Sequence, residues 1–271
     1  MSDPKKHHYI PQCYQRRFSI DNVCVKYFDK GRGVVCSEEI GKFCQIENLY
    51  YLAHSSNPYY IETEFFSHNI EDKLGRLLIY FDSINGDCDK IDFNVDRKAS
   101  VAKQIVLQYM RTPQYRDIKY KNESNAYLSQ LYTLLEYIGF AIEELRFEGD
   151  KAEFHKRRLC DEQEISEIIE NIVDMKWELL YTPQEEFYTS DNPVVIKEKK
   201  DMPVTYCDAI KYFNEIYFPL NPNLLLHIMA ERTDSRRHIA VRTIDQDEII
   251  EINNIIKNKA PHYILYQNQY K

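Results

Sequence analysis

The stretch NVCVKYFDKGRGVV, residues 22–35, decides the first part of the fold. From Asn22 to Asp29 two sets of side chains alternate along the chain, as they do in a β-strand whose two faces differ. The four residues KGRG at 30–33 follow, and Val34 and Val35 then resume a strand-like pattern. A strand, a glycine-containing turn and a second strand together predict a β-hairpin.

The pattern after this hairpin changes from strand-like to helical. Residues 38–60 show no period and predict a long ordered loop, whereas Ile70, Leu74, Leu78 and Phe81 mark one face of an amphipathic helix that ends near Asn85. Three further helices are predicted at 96–111, 114–147 and 162–174, with a charged exposed connection at 148–161. The helix at 96–111 should end at the Thr-Pro step, because proline disfavours helical geometry in the residue before it.

Short runs that favour strands dominate the chain after residue 175. They lie at 176–181, 187–189, 194–197, 215–220, 224–230, 238–243 and 262–266, and one helix is predicted at 246–258. We therefore predict an α+β fold, with a central bundle of about four helices and a mixed or antiparallel sheet that the N-terminal hairpin and the C-terminal strands form together. The chain is predicted to be a single domain, 1–271, with a possible β-rich lobe (1–60 plus 175–271) and a helical lobe (61–174).

Composition limits the function classes that remain open. The chain has 271 residues, is 44% hydrophobic and contains 7 glycines, so it can bury a sizeable core. Its formal net charge of −8 argues against a generally basic surface, although a small basic groove can lie within an acidic total. Seven cysteines without a CxxC pair favour neither a zinc ribbon nor a complete disulfide framework. Since no segment has the ~20 apolar residues that a membrane helix needs, a soluble cytoplasmic protein is expected.

The segment HHYIPQ, residues 7–12, concentrates side chains that can carry chemistry. Adjacent residues in an extended segment point to opposite sides, so only one of His7 and His8 is expected to face a given site. Packing under a strand and capping of a backbone group are equally open roles for the two imidazoles. Gln12 and Arg17 follow and are candidates for substrate binding.

Several later segments join HHYIPQ in one order along the chain: QYMRTPQYR at 108–116, TSDNP at 189–193 and FPL at 218–220. In this series the chain resembles the family known as domain of unknown function 4238. The resemblance covers nearly the whole chain, and it names a family without naming an activity.

Two carboxylates lie beside the first helical stripe. Glu64 and Glu71 are seven residues apart, which on an α-helix returns to within ~20° of the same direction. One interpretation is a site in which they act as general bases or metal ligands. The other is a structural network in which each pairs with an arginine or lysine, because a buried unpaired charge is costly.

The second helix carries amide and guanidinium groups on one face. Gln108 and Arg111 lie there, and Arg116 follows beyond the Thr-Pro step. Two arginines on either side of a rigid turn could clamp a phosphodiester, because the guanidinium fork matches phosphate oxygens. The structural alternative is that they pair with Glu64 or Glu71.

Asp191 and Asn192, in TSDNP, are candidate substrate-binding residues. A tight turn between two strands explains the same residues without a substrate, because Ser, Asp and Asn side chains bond to their own backbone in such turns. The chain has no P-loop, no dinucleotide-binding fingerprint and no HExxH, and Ser190 does not lie in a GxSxG motif.

The sequence thus leaves three classes of function open. The first is a hydrolase of the phosphodiesterase or nuclease class acting on nucleic acid or a nucleotide, with Mg²⁺ or Mn²⁺ as the cation if a metal takes part. Its catalytic groups would be His7 or His8, Glu64, Glu71 and Arg111. The alternative is a non-catalytic sensor of an anionic ligand, or a structural interaction protein in which these groups form a core network.

Overall fold

The computed structural model describes residues 5–138, 149–198, 205–232 and 237–270. Within these residues the chain folds as an α+β protein with seven α-helices, one π-helix and three β-sheets. The predicted fold class is therefore correct.

Two small sheets contain the N-terminal strands. Strands β1 (Lys6–His8) and β4 (Gln45–Glu47) pair in an antiparallel two-stranded sheet. The predicted hairpin is present as β2 (Cys24–Asp29) and β3 (Val34–Glu39), and Gly33 in its turn has a φ of 67°, a left-handed conformation that favours glycine. This hairpin extends into an antiparallel sheet of order β3-β2-β12-β7, in which β7 is Thr189–Ser190 and β12 is Tyr263–Tyr266.

The third sheet has six strands in the order β5-β11-β6-β10-β9-β8. It is mixed, because β11 runs parallel to β6 while the other neighbours are antiparallel. Its strands are β5 (Lys90–Asp92), β6 (Met175–Tyr181), β8 (Val195–Glu198), β9 (Phe213–Asn221), β10 (Leu224–Arg232) and β11 (His238–Thr243).

The helices occupy the middle of the chain and one C-terminal position. They are α1 (Gln12–Gln15), the π-helix (Ile61–Glu71), α2 (Asp72–Asp82), α3 (Val95–Met110), α4 (Pro113–Tyr137), α5 (Lys151–Leu159), α6 (Glu162–Val173) and α7 (Gln246–Lys259). Helix α3 is central, since it packs against α2, α4, α5 and α6. Its burial is nearly complete at the C-terminal end, where Ile105, Val106 and Leu107 are inaccessible to solvent.

Local signals account for the helix boundaries. Asn94 caps α3 by accepting a hydrogen bond from the Arg97 N–H at 3.0 Å, and Thr112 caps α4 by accepting one from the Tyr115 N–H at 3.3 Å, with Pro113 in the first turn. The predicted end of the second helix at the Thr-Pro step is therefore correct.

The region between α4 and α6 differs from the prediction. The exposed connection predicted at 148–161 is wrong, because Asp150 accepts hydrogen bonds from the N–H groups of Ala152 and Glu153 and starts α5. The end of the third helix, predicted near residue 147, falls within residues 139–148, which lie outside the described residues.

The hairpin joins a C-terminal strand, but not the large sheet. The prediction of one sheet shared by both ends of the chain was thus too simple. Strand β12 pairs with β2 on one side and β7 on the other, with Leu265 opposite both Tyr27 and Thr189. Because β12 has a neighbour on each side, its backbone N–H and C=O groups form hydrogen bonds along both edges. It is therefore a central strand of the four-stranded sheet.

Candidate functional site

A buried arginine organises the region where the N-terminal segment meets α3. Arg111 follows the last residue of α3, and it is 1% exposed. Its Nη2 atom donates to the His8 carbonyl at 2.5 Å and to Glu71 Oε1 at 2.9 Å, and its guanidinium lies 4.0 Å from the centre of the Phe66 ring. The Nε and Nη1 atoms are also buried and have no hydrogen-bond partner among the described residues.

The two histidines have different surroundings, as the alternation of an extended segment predicts. His7 is fully buried and stacks on Tyr50, with 5.6 Å between ring centres. Its Nδ1 accepts a hydrogen bond from the Tyr50 N–H at 2.9 Å, and the Tyr50 hydroxyl donates to the Arg111 carbonyl at 2.7 Å. His7 therefore contributes to packing, whereas His8 is only partly buried and lines a cavity.

The π-helix decides which carboxylates approach Arg111. Its buried residues Ile61, Phe66 and Ile70 are five and four positions apart, which fits a π-helical turn of roughly 4.4 residues and not the shorter α-helical turn. On this geometry Glu62 and Glu71, nine residues apart, share a face. Glu64 lies elsewhere: it is exposed, and its Oε1 accepts a hydrogen bond from Asn57 at 2.7 Å.

Glu62 and Glu71 both line a cavity of about 580 Å³ between the N-terminal segment and the π-helix. This acid–base cleft, as we name it, contains carboxylate, imidazole, guanidinium and hydroxyl groups in one space. Its walls are His8, Gln12, Cys13, Arg16, Glu62, Thr63, Ser67, His68, Glu71 and Asp72.

The cleft shifts the proton affinities of its walls in ways that suit proton transfer. Burial raises the pKa of Glu62 to about 7, with Glu71 adding to the shift and Arg111 opposing it. Burial also lowers the pKa of His8, although Glu71 opposes that effect. At neutral pH, Glu62 is consequently close to half protonated and His8 is neutral.

Cys13 does not fit the role of a nucleophile. Burial, together with the negative charge of Glu71, raises the pKa of its thiol to about 11. Since the thiolate is the reactive form, the thiol of Cys13 is inert at neutral pH.

Other predicted site residues lie around this cleft without lining it. Gln108 is buried and its Nε2 donates to the Tyr9 carbonyl at 3.0 Å, which fixes the HHYIPQ segment against α3. Arg116 donates to the Leu49 carbonyl at 3.2 Å and pairs with Asp117 at 3.0 Å. Arg17 pairs with Asp82. Arg111 and Arg116 are thus engaged with protein groups, and neither is among the cleft walls.

Asp191 and Asn192 are buried at the end of β7. Asp191 Oδ1 accepts hydrogen bonds from the N–H groups of His262 and Tyr263 at 3.1 and 3.0 Å, and Oδ2 lies 2.8 Å from His262 Nδ1. Asn192 Nδ2 donates to the Tyr206 hydroxyl at 2.6 Å. Asp191 therefore connects the TSDNP turn to the start of β12, while the side chain that bonds within the turn is that of Ser190, whose Oγ accepts from the Asn192 N–H at 3.1 Å.

Glu62 and Arg16 were not selected as site residues from the sequence. The five-then-four spacing of Ile61, Phe66 and Ile70 was a signal for the longer turn, but the adjacent Phe65 obscures it. Arg16 directly precedes the candidate residue Arg17 in the sequence; its Nη2 donates to Gln12 Oε1 at 3.1 Å, and it lines the cleft wall.

A metal centre would need several ligands in one place. No group of three or more His, Cys, Asp and Glu side chains arranged to hold a metal ion occurs in the part of the chain that the structure describes. None of the described helices has both the length and the apolar character that crossing a bilayer requires.

The α+β fold with a carboxylate–imidazole cleft above a buried arginine can be compared with known proteins. A family model described as a protein of unknown function (DUF4238) matches residues 6–269. The chain therefore belongs to the DUF4238 family. A search of curated proteins found no match, and a search of solved structures found none either.

Proposed function

We propose that this protein is a hydrolase of the phosphodiesterase class whose reaction takes place in the acid–base cleft. The observation that carries this proposal is the convergence of Glu62, Glu71 and His8 on one cavity above the buried guanidinium of Arg111. Convergence of unlike proton-transfer groups in a cleft is the geometry that general acid–base catalysis requires.

His8 and Glu62 divide the proton transfers. The neutral imidazole of His8 accepts the proton of the attacking water as its oxygen bonds to phosphorus. The protonated carboxyl of Glu62 gives its proton to the leaving oxygen as the old phosphorus–oxygen bond breaks. The pKa of about 7 for Glu62 supports this role, because a catalytic acid works best near the operating pH. Solvent then restores both groups.

Arg16 is the cleft cation best placed for the phosphate. It is exposed, and its Nη2 contacts the neutral carboxamide of Gln12. A guanidinium offers two parallel donors to phosphate oxygens. Arg111 is instead a positioning residue: it holds the His8 carbonyl and the Glu71 carboxylate, so that the walls of the cleft keep their places.

Cleavage of end-labelled RNA and DNA, single-stranded and duplex, tests the proposal. Each substrate is incubated with Mg²⁺, with Mn²⁺ and with a chelator, so that any metal requirement is measured directly. We expect Glu62→Gln to lose at least about a hundredfold in kcat, the typical contribution of a general acid. Glu170→Gln, an exposed carboxylate on α6, is the surface control.

Two further results bear on the residue assignment. The pH profile of kcat/KM should be bell-shaped. It should fall at low pH as His8 gains a proton, and it should fall above about 7 as Glu62 loses its proton.

Glu64→Gln should retain activity, because Glu64 bonds to Asn57 away from the cleft. Loss of activity in Glu64→Gln with full activity in Glu62→Gln would contradict the proposed site. No cleavage of any substrate under any condition would contradict the proposed class.

A further inference from the structure

Three cavities of the protein adjoin one another in series. Arg16 lines the acid–base cleft and also a second cavity of about 360 Å³. Asn223 lines that second cavity and also a third, of about 590 Å³. Since each neighbouring pair shares a wall residue, the three cavities lie next to one another, and we call this series of cavities the track.

The middle of the track carries paired guanidinium groups. Arg16 and Arg17 both line it, together with Asp82, Ser19 and Asn85. Arg17 is paired with Asp82, whereas the side chain of Arg16 donates to the neutral carboxamide of Gln12. The Arg16 guanidinium, which lines both this cavity and the acid–base cleft, is therefore the one suited to a phosphate group.

The far end of the track is dominated by carboxamides. Half of its wall residues are Asn or Gln, and α7 supplies three of them, Gln246, Asn253 and Asn254. Asn253 is committed to the fold, since its Oδ1 accepts from the Tyr188 N–H and its Nδ2 donates to the Glu186 carbonyl, both at 2.9 Å. Gln184 and Asn254 are exposed and can turn towards a ligand, whereas the Asn268 carboxamide contacts Glu186.

The chemistry of this carboxamide cavity matches a nucleotide base. A carboxamide presents one donor and one acceptor side by side, and base edges present the complementary pair. The apolar wall formed by Ile249 and Ile250 can contact the flat face of a base. Lys257, whose Nζ lies 5.3 Å from the centre of the Tyr188 ring, adds a cation at the same wall.

We propose that the track binds single-stranded nucleic acid, with a phosphate at Arg16 and a base in the carboxamide cavity. This inference rests on the proposed phosphodiesterase function, because it extends the same cleft to a longer substrate. A single strand is required, since a base can place its Watson–Crick edge and its flat face inside a cavity only when it is unpaired.

Binding to strands of different length tests the track. Fluorescence anisotropy with labelled oligoribonucleotides, from a dinucleotide to an octanucleotide, is measured on full-length Glu62→Gln protein to avoid cleavage. We expect the octanucleotide to bind roughly tenfold or more tightly than the dinucleotide, because each additional base contact contributes ~1–3 kcal/mol. The double variant Gln184→Ala with Asn254→Ala should abolish that difference, whereas Arg16→Ala should weaken binding at every length.

The control is Asn258→Ala, which removes an exposed carboxamide one turn along α7, outside the cavity wall. Equal affinity for all lengths, or a length dependence that Gln184→Ala with Asn254→Ala leaves unchanged, would overturn the track. If either result is obtained but the wild-type protein still cleaves a dinucleotide, the hydrolase proposal is kept and only the track is rejected. Length-dependent binding that requires Asn254, without cleavage of any strand, would instead support the track and reject the hydrolase.

Discussion

At the scale of single residues, Arg111 is a cation removed from solvent with one carboxylate partner. Burial is the largest single effect and by itself would lower the pKa of its guanidinium, but the negative charges of Glu71 and Glu62 and the hydrogen bond to Glu71 act together and the pKa is raised. Two of its three nitrogens have no hydrogen-bond partner among the described residues, so the Glu71 contact and the His8 carbonyl neutralise most of the buried charge. Removing only one partner of such a pair lowers the free energy of unfolding strongly, because the charge of the other partner stays buried without compensation.

We therefore expect Glu71→Ala to lower the free energy of unfolding by about 3 to 5 kcal/mol. His8→Ala should cost less, since Arg111 bonds to the His8 backbone carbonyl, which the substitution keeps. Glu71→Gln should lie between the two, because an amide oxygen still accepts the hydrogen bond. Denaturant titration followed by circular dichroism measures all three, and equal midpoints for wild type and Glu71→Ala would show that the carboxylate is solvated.

At the scale of elements, the π-helix sets the composition of the cleft. Its backbone carbonyls are partly satisfied by its own side chains: His68 Nδ1 lies 2.7 Å from the Thr63 carbonyl, and Asn69 Nδ2 donates to the Glu64 carbonyl at 3.0 Å. Both contacts span five residues, the same sequence separation as the backbone hydrogen bond of a π-helix. The wider turn puts Glu62 on the face of Glu71, a position that an α-helical turn would give to a different residue.

Deletion of Asn69 should remove activity with the fold intact. The deletion brings Glu62 and Glu71 from nine to eight residues apart. With this spacing the two carboxylates no longer share a face on either a π-helix or an α-helix, so Glu62 turns away from the cleft. Asn69→Ala keeps the spacing, and because Asn69 is exposed and outside the cleft wall it is the matched control. Circular dichroism and the nucleic-acid cleavage assay are run on both variants. Full activity in the deletion variant would show that the π-helical register is irrelevant to the site.

At the scale of the whole molecule, the two ends of the chain close one sheet. Strand β12, near the C-terminus, lies between the N-terminal hairpin and β7. Leu265 in this strand is 1% exposed and belongs to the main hydrophobic core. Glu186 reinforces the same junction, because its carboxylate accepts the N–H groups of Gln267, Asn268 and Gln269 at 2.9–3.2 Å.

Leu265→Ala should consequently weaken the hairpin as well as its own strand. Truncation of a buried leucine costs ~2–5 kcal/mol, whereas Ile79→Ala, at a position that is 64% exposed on α2, should change stability by less than about 0.5 kcal/mol. Hydrogen exchange should show lost protection in both β2 and β12 of the Leu265→Ala protein. Lost protection in β12 with β2 unaffected would mean that the hairpin is stable without the C-terminal strand.

The sequence by itself determined the elements whose signals are local. The alternation at residues 22–29, the stripe Ile70–Leu74–Leu78–Phe81 and the Thr112–Pro113 step depend on neighbours within one or two turns, and the structure has the hairpin, the helix and the helix end that they predict. The alternation of His7 and His8 likewise needed no distant partner. Asp150 carried a local capping signal too, but the charged residues around it concealed a helix.

Only the tertiary structure decided which distant groups meet. Whether Arg111 pairs with Glu71 or Glu64, and whether Glu62 enters the cleft, depends on the turn of the π-helix and on how α3 packs against it. The hairpin pairs with β12 instead of the six-stranded sheet because buried backbone groups some 235 positions apart satisfy one another there. Periodicity and capping signals reflect interactions within one helix or strand. The pairings between distant groups depend instead on the free energy of burying charges and backbone groups where two elements meet, and no local sequence pattern contains that information.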